Sequence, residues 1–321
     1  VGFDIIADIL QHSVFDKEEL ERERTVVLQE IGQAEDTPDD IIFDRFQATA
    51  YPDQAIGRPV LGQAEIVSRV ARETIRDYMR QHYSADRLVL TAAGRVDHDR
   101  FVDLAAAAYR DLPRSNHMPA EPSRYVGGDY RERRELEQVH LLLGLPGVGF
   151  ADPDYYAMTV LSTLLGGGMS SRLFQEVREK RGLVYSIYSF TSPYTDGGMF
   201  GIYAGTGESE VAEMLPIVCQ EIVKVAQRVE AEEVQRARAQ LKASILMARE
   251  SSSARVEQLA QQILIYGRPL TTEEVIAQVE AVDEAQVTRL AQRLIVGPLT
   301  VAALGPIGRV ESLEALTARL G

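Results

Sequence analysis

The chain has 321 residues, of which 45% are hydrophobic and 26% are charged. This composition is typical of a folded protein, and the length is that of about two domains. The net charge of −14 argues against a nucleic-acid-binding surface, which needs clustered basic side chains. The single cysteine, Cys219, excludes an intrachain disulfide and any multi-cysteine metal site. No run of about 18 apolar residues predicts a membrane span.

The hydrophobic pattern, taken in chain order, predicts many helices and a few strands. Helices are predicted at 3–11, 16–34, 37–50, 71–83, 98–110, 152–165, 209–228, 230–249 and 283–293. Strands are predicted at 88–94, 138–145, 183–190, 197–205 and 300–305. Because helices outnumber strands and the strands come in pairs, we expect an α+β fold in which helices cover an antiparallel-rich sheet.

An internal repeat and a segment rich in Pro and Gly divide the chain. The repeat aligns Arg24 with Arg238 at the same offset as the flanking apolar positions. It predicts two homologous α/β-roll units, at 1–114 and 129–321, joined by a linker at 115–128. The first unit lacks the opening strands and helix of the second, so we expect it to be truncated at its N-terminus.

The helix predicted from residue 16 carries two acidic residues on one face. Asp16 is a suitable N-cap. Glu23 and Glu30 are seven residues apart and therefore point within about 20° of each other. They lie in the middle of the apolar stripe of this helix. We therefore expect both carboxylates to be buried, where each needs an ion-pair partner or a metal.

Two interpretations of this pair are open. In a structural interpretation, Glu23 and Glu30 form ion pairs with Arg24 or with a neighbouring helix. In a chemical interpretation, they belong to a functional site. The repeat places Ala237 and Ser244 at the equivalent positions. A purely structural pair would more plausibly be kept in both copies, so the repeat favours a functional site in one unit only.

The histidines do not complete a metal site in the local sequence. Neither a His-x-x-Glu-His motif nor a His-x-x-His pair occurs, so a two-histidine zinc motif is missing. Each histidine alone is more typical of a polar surface or strand position than of a ligand. The histidines are His12, His82, His98, His117 and His140.

Four separated phrases of the sequence carry a family resemblance. They are ELERERTVVLQEI (19–31), FDRFQATAYPDQAIGRPVLGQAEIV (43–67), HYSADRLVLTAAGRVDHD (82–99) and LLGGGMSSRLFQEVREKRGLVYSIYSF (164–190). In this order they resemble the pitrilysin family of zinc metallopeptidases. The resemblance is to the branch that contains the β-subunit of mitochondrial processing peptidase and its bacterial relatives.

The resemblance implies roles for the acidic residues and for the two units. In that family an inverted motif, His-x-x-Glu-His, supplies two zinc ligands and the general base, and a later Glu supplies the third ligand. Glu30 matches that metal ligand, and Glu23 matches a carboxylate that supports the site. Residues 1–114 would then be the C-terminal part of the catalytic unit, and 129–321 a unit without zinc that completes the substrate chamber. The inverted motif does not occur in this sequence. Zn2+ is therefore expected only in the intact parent, and the chain as given is expected to be inactive.

The second unit offers two candidate substrate contacts. Residues 170–190 predict a short helix, a stop at Gly182 and a strand. An arginine and a phenol, Arg178 and Tyr185, can converge across that turn on a substrate carbonyl or an oxyanion. Otherwise Arg178 caps the helix and Tyr185 packs in the core; the family resemblance favours substrate contact. The glycines at 166–168 predict a tight turn rather than a phosphate site, because no Lys-Ser/Thr follows them.

The resemblance implies a zinc-dependent endopeptidase, or a fragment of one, that acts on extended peptides. The net charge favours basic peptides by electrostatic steering. Two alternatives stay open: a non-catalytic partner subunit of the same fold, or a peptide-binding scaffold without metal. The expected partners are a peptide substrate and, in a dimer, a second copy or a related subunit. Neither nucleic acid nor membrane is expected. The compartment is left open, with the cytoplasm slightly favoured over the periplasm, because a sequence that begins at Val1 gives no evidence on a targeting signal.

Overall fold

A computed structural model describes residues 2–114 and 120–321. His117 and part of the predicted linker lie outside the described residues. The described helices are α1 (Gly2–His12), α2 (Lys17–Glu35), α3 (Pro38–Ala50), α4 (Ala64–Val67), α5 (Arg72–His82), α6 (His98–Ala108), α7 (Tyr155–Gly166), α8 (Val211–Gln227), α9 (Ala231–Ala248), α10 (Ser252–Tyr266), α11 (Thr272–Glu280), α12 (Glu284–Ile295) and α13 (Leu313–Leu320). The strands are β1 (Gly128–Arg133), β2 (Val139–Gly147), β3 (Val184–Pro193), β4 (Gly198–Thr206) and β5 (Thr300–Gly305). A π-helix spans Phe174–Glu179.

Every predicted helix is present, and so are the predicted strands other than 88–94. The pattern did not predict α4, α10, α11 and α13, nor the charged strand β1. The segment 88–94 has the composition of a strand but is irregular. A strand forms only when its backbone groups pair with a neighbour, and the compact unit that holds this segment has no strand among its described residues.

The described residues form two compact units, and each unit combines separate stretches of the chain. Unit 1 is drawn from residues 1–33, 60–121 and 248–269. Unit 2 is drawn from residues 34–59, 122–247 and 270–321. Helix α3 therefore belongs to the unit that holds the sheet, and α10 belongs to the other. The predicted division at 115–128 separates the two copies of the sequence repeat, whereas the two compact units each combine several stretches of the chain. The predicted division stays a prediction.

Unit 2 contains a five-stranded sheet in the order β1-β5-β2-β4-β3. Strands β1 and β5 are parallel and the other neighbours are antiparallel. Alternate residues of β2 face opposite sides of the sheet, because side chains alternate along a strand. Leu141 and Leu143 join the larger core, and Leu142 joins a second core with Phe46 of α3. Helices on an antiparallel-rich sheet confirm the predicted α+β class.

Helix α3 packs unusually close to the sheet. A Cβ atom at Gly144 would lie 2.2 Å from the ring of Phe46, so only glycine fits at this point of β2. Ile42 and Phe46 are almost completely buried there. The face of the sheet under α3 is therefore closed by a helix that precedes all the strands in the chain.

Unit 1 consists of helices and irregular segments in its described part. The Phe3 ring packs edge-on against Phe101 and Tyr109, at centroid distances of 5.6 and 5.8 Å. Gln11 donates from Nε2 to the carbonyl oxygen of Ala108 at 2.7 Å. Among the described hydrophobic residues of this unit, Ala7 alone is buried. None of the helices in the described part of the chain is long and apolar enough to cross a membrane.

Candidate functional site

Glu23 and Glu30 lie on α2, as predicted, but neither is buried. The backbone amides of Glu18 and Glu19 donate to Asp16 Oδ1 at 2.9 and 3.3 Å, which confirms the N-cap. The expected burial of the two site carboxylates is wrong for a simple reason. Helix α2 has no fully buried residue, so the apolar stripe beside these carboxylates is at most partly covered.

The structural interpretation of the acidic pair is not borne out. Arg24 pairs with Glu21, with its Nε 3.2 Å from Oε2, and not with Glu23 or Glu30. Within the described residues, neither of these two carboxylates has a hydrogen bond or an ion pair. Their oxygens are therefore free to accept an external partner.

The described residues do not complete a metal site. No group of three or more His, Cys, Asp or Glu residues among them could hold a metal ion. The strand histidine His140 is already used, because its Nδ1 lies 2.9 Å from the hydroxyl of Tyr203. Burial lowers the pKa of His140 below its ordinary value. Zinc needs three or four protein ligands. The free carboxylates of Glu23 and Glu30 thus fit the carboxylate part of a zinc site, which the resemblance assigns to them, but not a whole site.

Arg178 lies on the π-helix of unit 2. The backbone N–H of Lys180 donates to the Gln175 carbonyl at 3.0 Å, which is the wide i→i+5 bond of a π turn. The Arg178 guanidinium is exposed and sits 5.1 Å from the ring centroid of Phe174. Gly182 has φ +65°, and its N–H donates to the Arg178 carbonyl at 2.9 Å. This confirms the predicted stop at Gly182. Within the described residues, the Arg178 guanidinium makes no hydrogen bond to a helix carbonyl.

Tyr185 lies at a β-bulge near the start of β3. The register with β4 shifts between Val184 and Ser186, so the bulge leaves Tyr185 without a paired partner. Its side chain is 64% exposed, which rules out packing in the core. Bulges commonly redirect a side chain near functional sites. Both predicted substrate contacts of this unit therefore lie on locally irregular backbone and reach solvent.

The four predicted site residues form two pairs, one in each compact unit. Glu23 and Glu30 share a helix of unit 1, and Arg178 and Tyr185 lie on consecutive segments of unit 2. The Arg178 guanidinium contacts the ring of Phe174. The convergence of Arg178 with Tyr185 stays a prediction.

An anchoring residue was missed at the sequence level. Arg172, just before the π-helix, donates from Nε to Glu233 Oε1 at 2.7 Å and from Nη2 to Oε2 at 2.6 Å. Burial tends to raise the pKa of Glu233, but the hydrogen bonds from Arg172 and the backbone outweigh it, and the pKa lies below its ordinary value. The pair ties the Arg178 segment to α9. No local pattern predicts it, because the partners are far apart in the chain.

The glycine-rich turn has a packing role. A Cβ atom at Gly166 would lie 2.4 Å from the backbone nitrogen of Ser189, and one at Gly167 would lie 2.5 Å from the Thr163 Cα. The carbonyl of Gly167 accepts a hydrogen bond of 2.7 Å from Gln240. Glycine here lets α7 approach β3 closely, which agrees with the predicted tight turn.

Comparisons with known proteins identify two family profiles along the chain. Residues 2–64 match "Insulinase (Peptidase family M16)" and residues 69–241 match "Peptidase M16 inactive domain". A protein of Rickettsia bellii named "Uncharacterized zinc protease" is 35% identical over 94% of this chain and 74% of its own length. The human "Mitochondrial-processing peptidase subunit beta" is 34% identical over 99% of this chain and 68% of its own length.

A solved structure agrees in fold. The crystal structure of a peptidase M16 inactive domain from Pseudomonas fluorescens superposes with a TM-score of 0.85 at 23% identity. The match covers 95% of this chain and 74% of that one. At this identity the superposition shows the fold alone.

Proposed function

This chain belongs to peptidase family M16, and from that premise we propose that it forms part of a zinc-dependent endopeptidase for extended, basic peptides. The membership confirms the resemblance to the pitrilysin family. Relatives named zinc proteases place zinc and proteolysis in the family. The observation that carries the proposal is the pair of free carboxylates, Glu23 and Glu30, on one face of α2.

In the proposed site, Glu30 is one zinc ligand and Glu23 supports it. Bound zinc supplies a Lewis acid that lowers the pKa of a coordinated water to about 7. The described residues hold no complete ligand group, and in this proposal the histidine ligands of the family motif belong to the intact parent protein. Within this chain, the two carboxylates do no more than bind and orient.

Arg178 and Tyr185 are the proposed substrate contacts. Both carry hydrogen-bond donors on exposed side chains. A guanidinium and a phenol can hold a peptide carbonyl and stabilise the negative charge that develops on its oxygen during hydrolysis. The irregular backbone under each residue, a π turn and a bulge, directs these donors outward while the rest of unit 2 stays packed.

The preference for basic peptides follows from charge. A net charge of −14 attracts cationic peptides and raises their encounter rate. This is long-range steering, and it falls as ionic strength rises.

A non-catalytic subunit is the second candidate function. It is favoured by the match of residues 69–241 to a domain described as inactive, and by a relative named as a subunit. In that role the chain would pair with a related subunit that supplies the chemistry. A peptide-binding scaffold without metal is the third alternative.

The test compares Glu30→Gln, Glu23→Gln and Tyr185→Phe in the full-length protein. Glu30→Gln should lower zinc content and peptide hydrolysis together, because an amide is a much weaker zinc ligand than a carboxylate. Glu23→Gln should lose activity with a smaller loss of zinc. Tyr185→Phe should keep zinc and lose turnover by about 2–4 kcal/mol of transition-state stabilisation, the usual worth of an oxyanion donor.

Glu18→Gln, on the exposed first turn of α2, is the control and should change none of these quantities. Zinc is measured by metal analysis, and Tm and peptide hydrolysis on the same samples. A full zinc content in Glu30→Gln with only a lower Tm would mean that Glu30 is structural. A wild-type protein without zinc and without hydrolysis would instead support the non-catalytic alternatives.

A further inference from the structure

Arg24 connects α2 to the joint between two other helices of unit 1. It donates from Nη1 to the carbonyl oxygen of Val67 and from Nη2 to that of Val70 at 2.9 Å. Val67 is the last residue of α4, and Val70 directly precedes Ala71, the N-cap of α5. The Arg24 side chain is only 13% exposed. One planar guanidinium therefore satisfies two carbonyl oxygens at a helix-to-helix joint, with charge-assisted bonds.

Arg238 makes the same contact in unit 2. From α9 it donates through Nη1 to the carbonyl oxygens of Glu280 and Val282, at 2.8 and 3.0 Å. Glu280 is the last residue of α11, and Val282 directly precedes Asp283, the N-cap of α12. Arg24 and Arg238 are also the residues that the sequence repeat aligns. We call this contact the arginine clasp, and its recurrence at aligned positions supports the duplication.

The clasp is present in both units, whereas the site carboxylates are not. Glu23 and Glu30 of α2 are replaced by Ala237 and Ser244 in α9. Helix α9 is also held by buried Val234 and Ala237, but α2 has no buried residue. Side-chain packing therefore does little to fix α2 about its axis. At its last residue, Glu35 pairs with Arg45 and Arg134. Along the part of the helix that carries Glu23 and Glu30, the clasp is a directional contact to other helices.

We propose that Arg24 is a positioning residue for the acidic pair of α2. By holding α2 against the α4–α5 joint, the clasp fixes the rotation of the helix and hence the direction in which Glu23 and Glu30 point. Successive residues of a helix are about 100° apart, so a small rotation would turn both carboxylates off their face. The inference rests on the proposed function, in which Glu30 is a metal ligand. A lysine at position 24 cannot fully replace Arg24 in the clasp, because it lacks the planar guanidinium with its several N–H donors.

The experiment compares Arg24→Met and Arg24→Lys with Arg238→Met in the full-length protein. Zinc affinity is measured by competition with a chelator, and Tm on the same samples. Arg24→Met should weaken zinc binding about 10- to 100-fold, the usual range when a contact that orients a metal ligand is lost. Arg24→Lys should recover only part of that affinity. Arg238→Met is the matched control: it breaks the same contact in the unit without carboxylates, so it should lower Tm and leave zinc affinity unchanged.

Three outcomes would overturn the positioning role. If Glu30→Gln loses zinc but Arg24→Met binds it like the wild type, Arg24 does not position the pair, although the proposed function stands. If Arg238→Met loses as much zinc affinity as Arg24→Met, the effect is general destabilisation. If the wild-type protein binds no zinc, the proposed function fails and the positioning role fails with it.

Discussion

The two compact units differ sharply in how much apolar surface they bury. Unit 2 has a five-stranded sheet with a core on each face, and these cores contain every large, fully buried side chain of the described residues. Unit 1 has no strand in its described part, and its Ile5, Ile6 and Ile9 are each more than half exposed. Since apolar burial is the main source of stability, unit 2 should be rigid and unit 1 easily opened. The candidate metal ligand thus lies in unit 1, which buries less apolar surface, and the candidate substrate contacts lie in unit 2, which buries more.

The strongest test of this difference is a pair of core truncations. Phe200→Ala should destabilise the protein by about 3–5 kcal/mol, because it leaves a cavity in the larger core of unit 2. Ile6→Ala, on the exposed side of α1 in unit 1, should change stability by less than about 0.5 kcal/mol. Urea unfolding followed by circular dichroism measures both. Similar losses in the two variants would show that unit 1 has a core of its own.

A smaller effect is expected from the ion pair that anchors the Arg178 segment. Glu233→Gln should cost about 1.5–3 kcal/mol at neutral pH, the usual worth of hydrogen bonds to charged groups. The pKa of Glu233 is lowered in the folded protein from its ordinary value of 4.5. The pair therefore contributes fully above pH 4.5 and is lost as the pH falls below it.

The pH dependence gives this prediction its control. The difference in stability between wild type and Glu233→Gln should shrink in acid, whereas Glu232→Gln, its exposed neighbour on α9, should differ little from wild type at any pH. Thermal unfolding between neutral and acidic pH measures both variants. A constant difference for Glu233→Gln across that range would mean that the ion pair does not set the stability of this segment.

The smallest expected effects are two glycine substitutions of opposite sign. Gly182→Ala in unit 2 should destabilise by about 1 kcal/mol, because φ +65° is costly for a residue with a Cβ atom. Gly32→Ala, within α2 and with open space around its Cα, should stabilise that helix by up to about 1 kcal/mol. Tm values of the two variants should move in opposite directions. A lower Tm for Gly32→Ala would show that α2 is packed more tightly than its exposure indicates.

Some parts of the candidate site could be predicted from the sequence and others could not. The helix with Glu23 and Glu30 follows from its cap and its period, and the stop at Gly182 follows from the residue type; both are local. The exposure of the two carboxylates did not follow, because a helical pattern shows which residues share a face but not whether another element covers that face. The ion pair of Arg172 with Glu233 was missed for the same reason.

The sequence by itself determined most of the helices and strands, the repeat, the α+β class and the family. These depend on neighbouring residues or on motifs read in order along the chain. Only the tertiary structure decided that α3 covers the sheet of unit 2, that the segment 88–94 stays irregular, and that Arg24 and Arg238 clasp equivalent joints. Each of these depends on a partner distant in sequence. A strand needs a neighbouring strand, a buried face needs a covering element, and an arginine needs carbonyl oxygens, and folding brings these partners together.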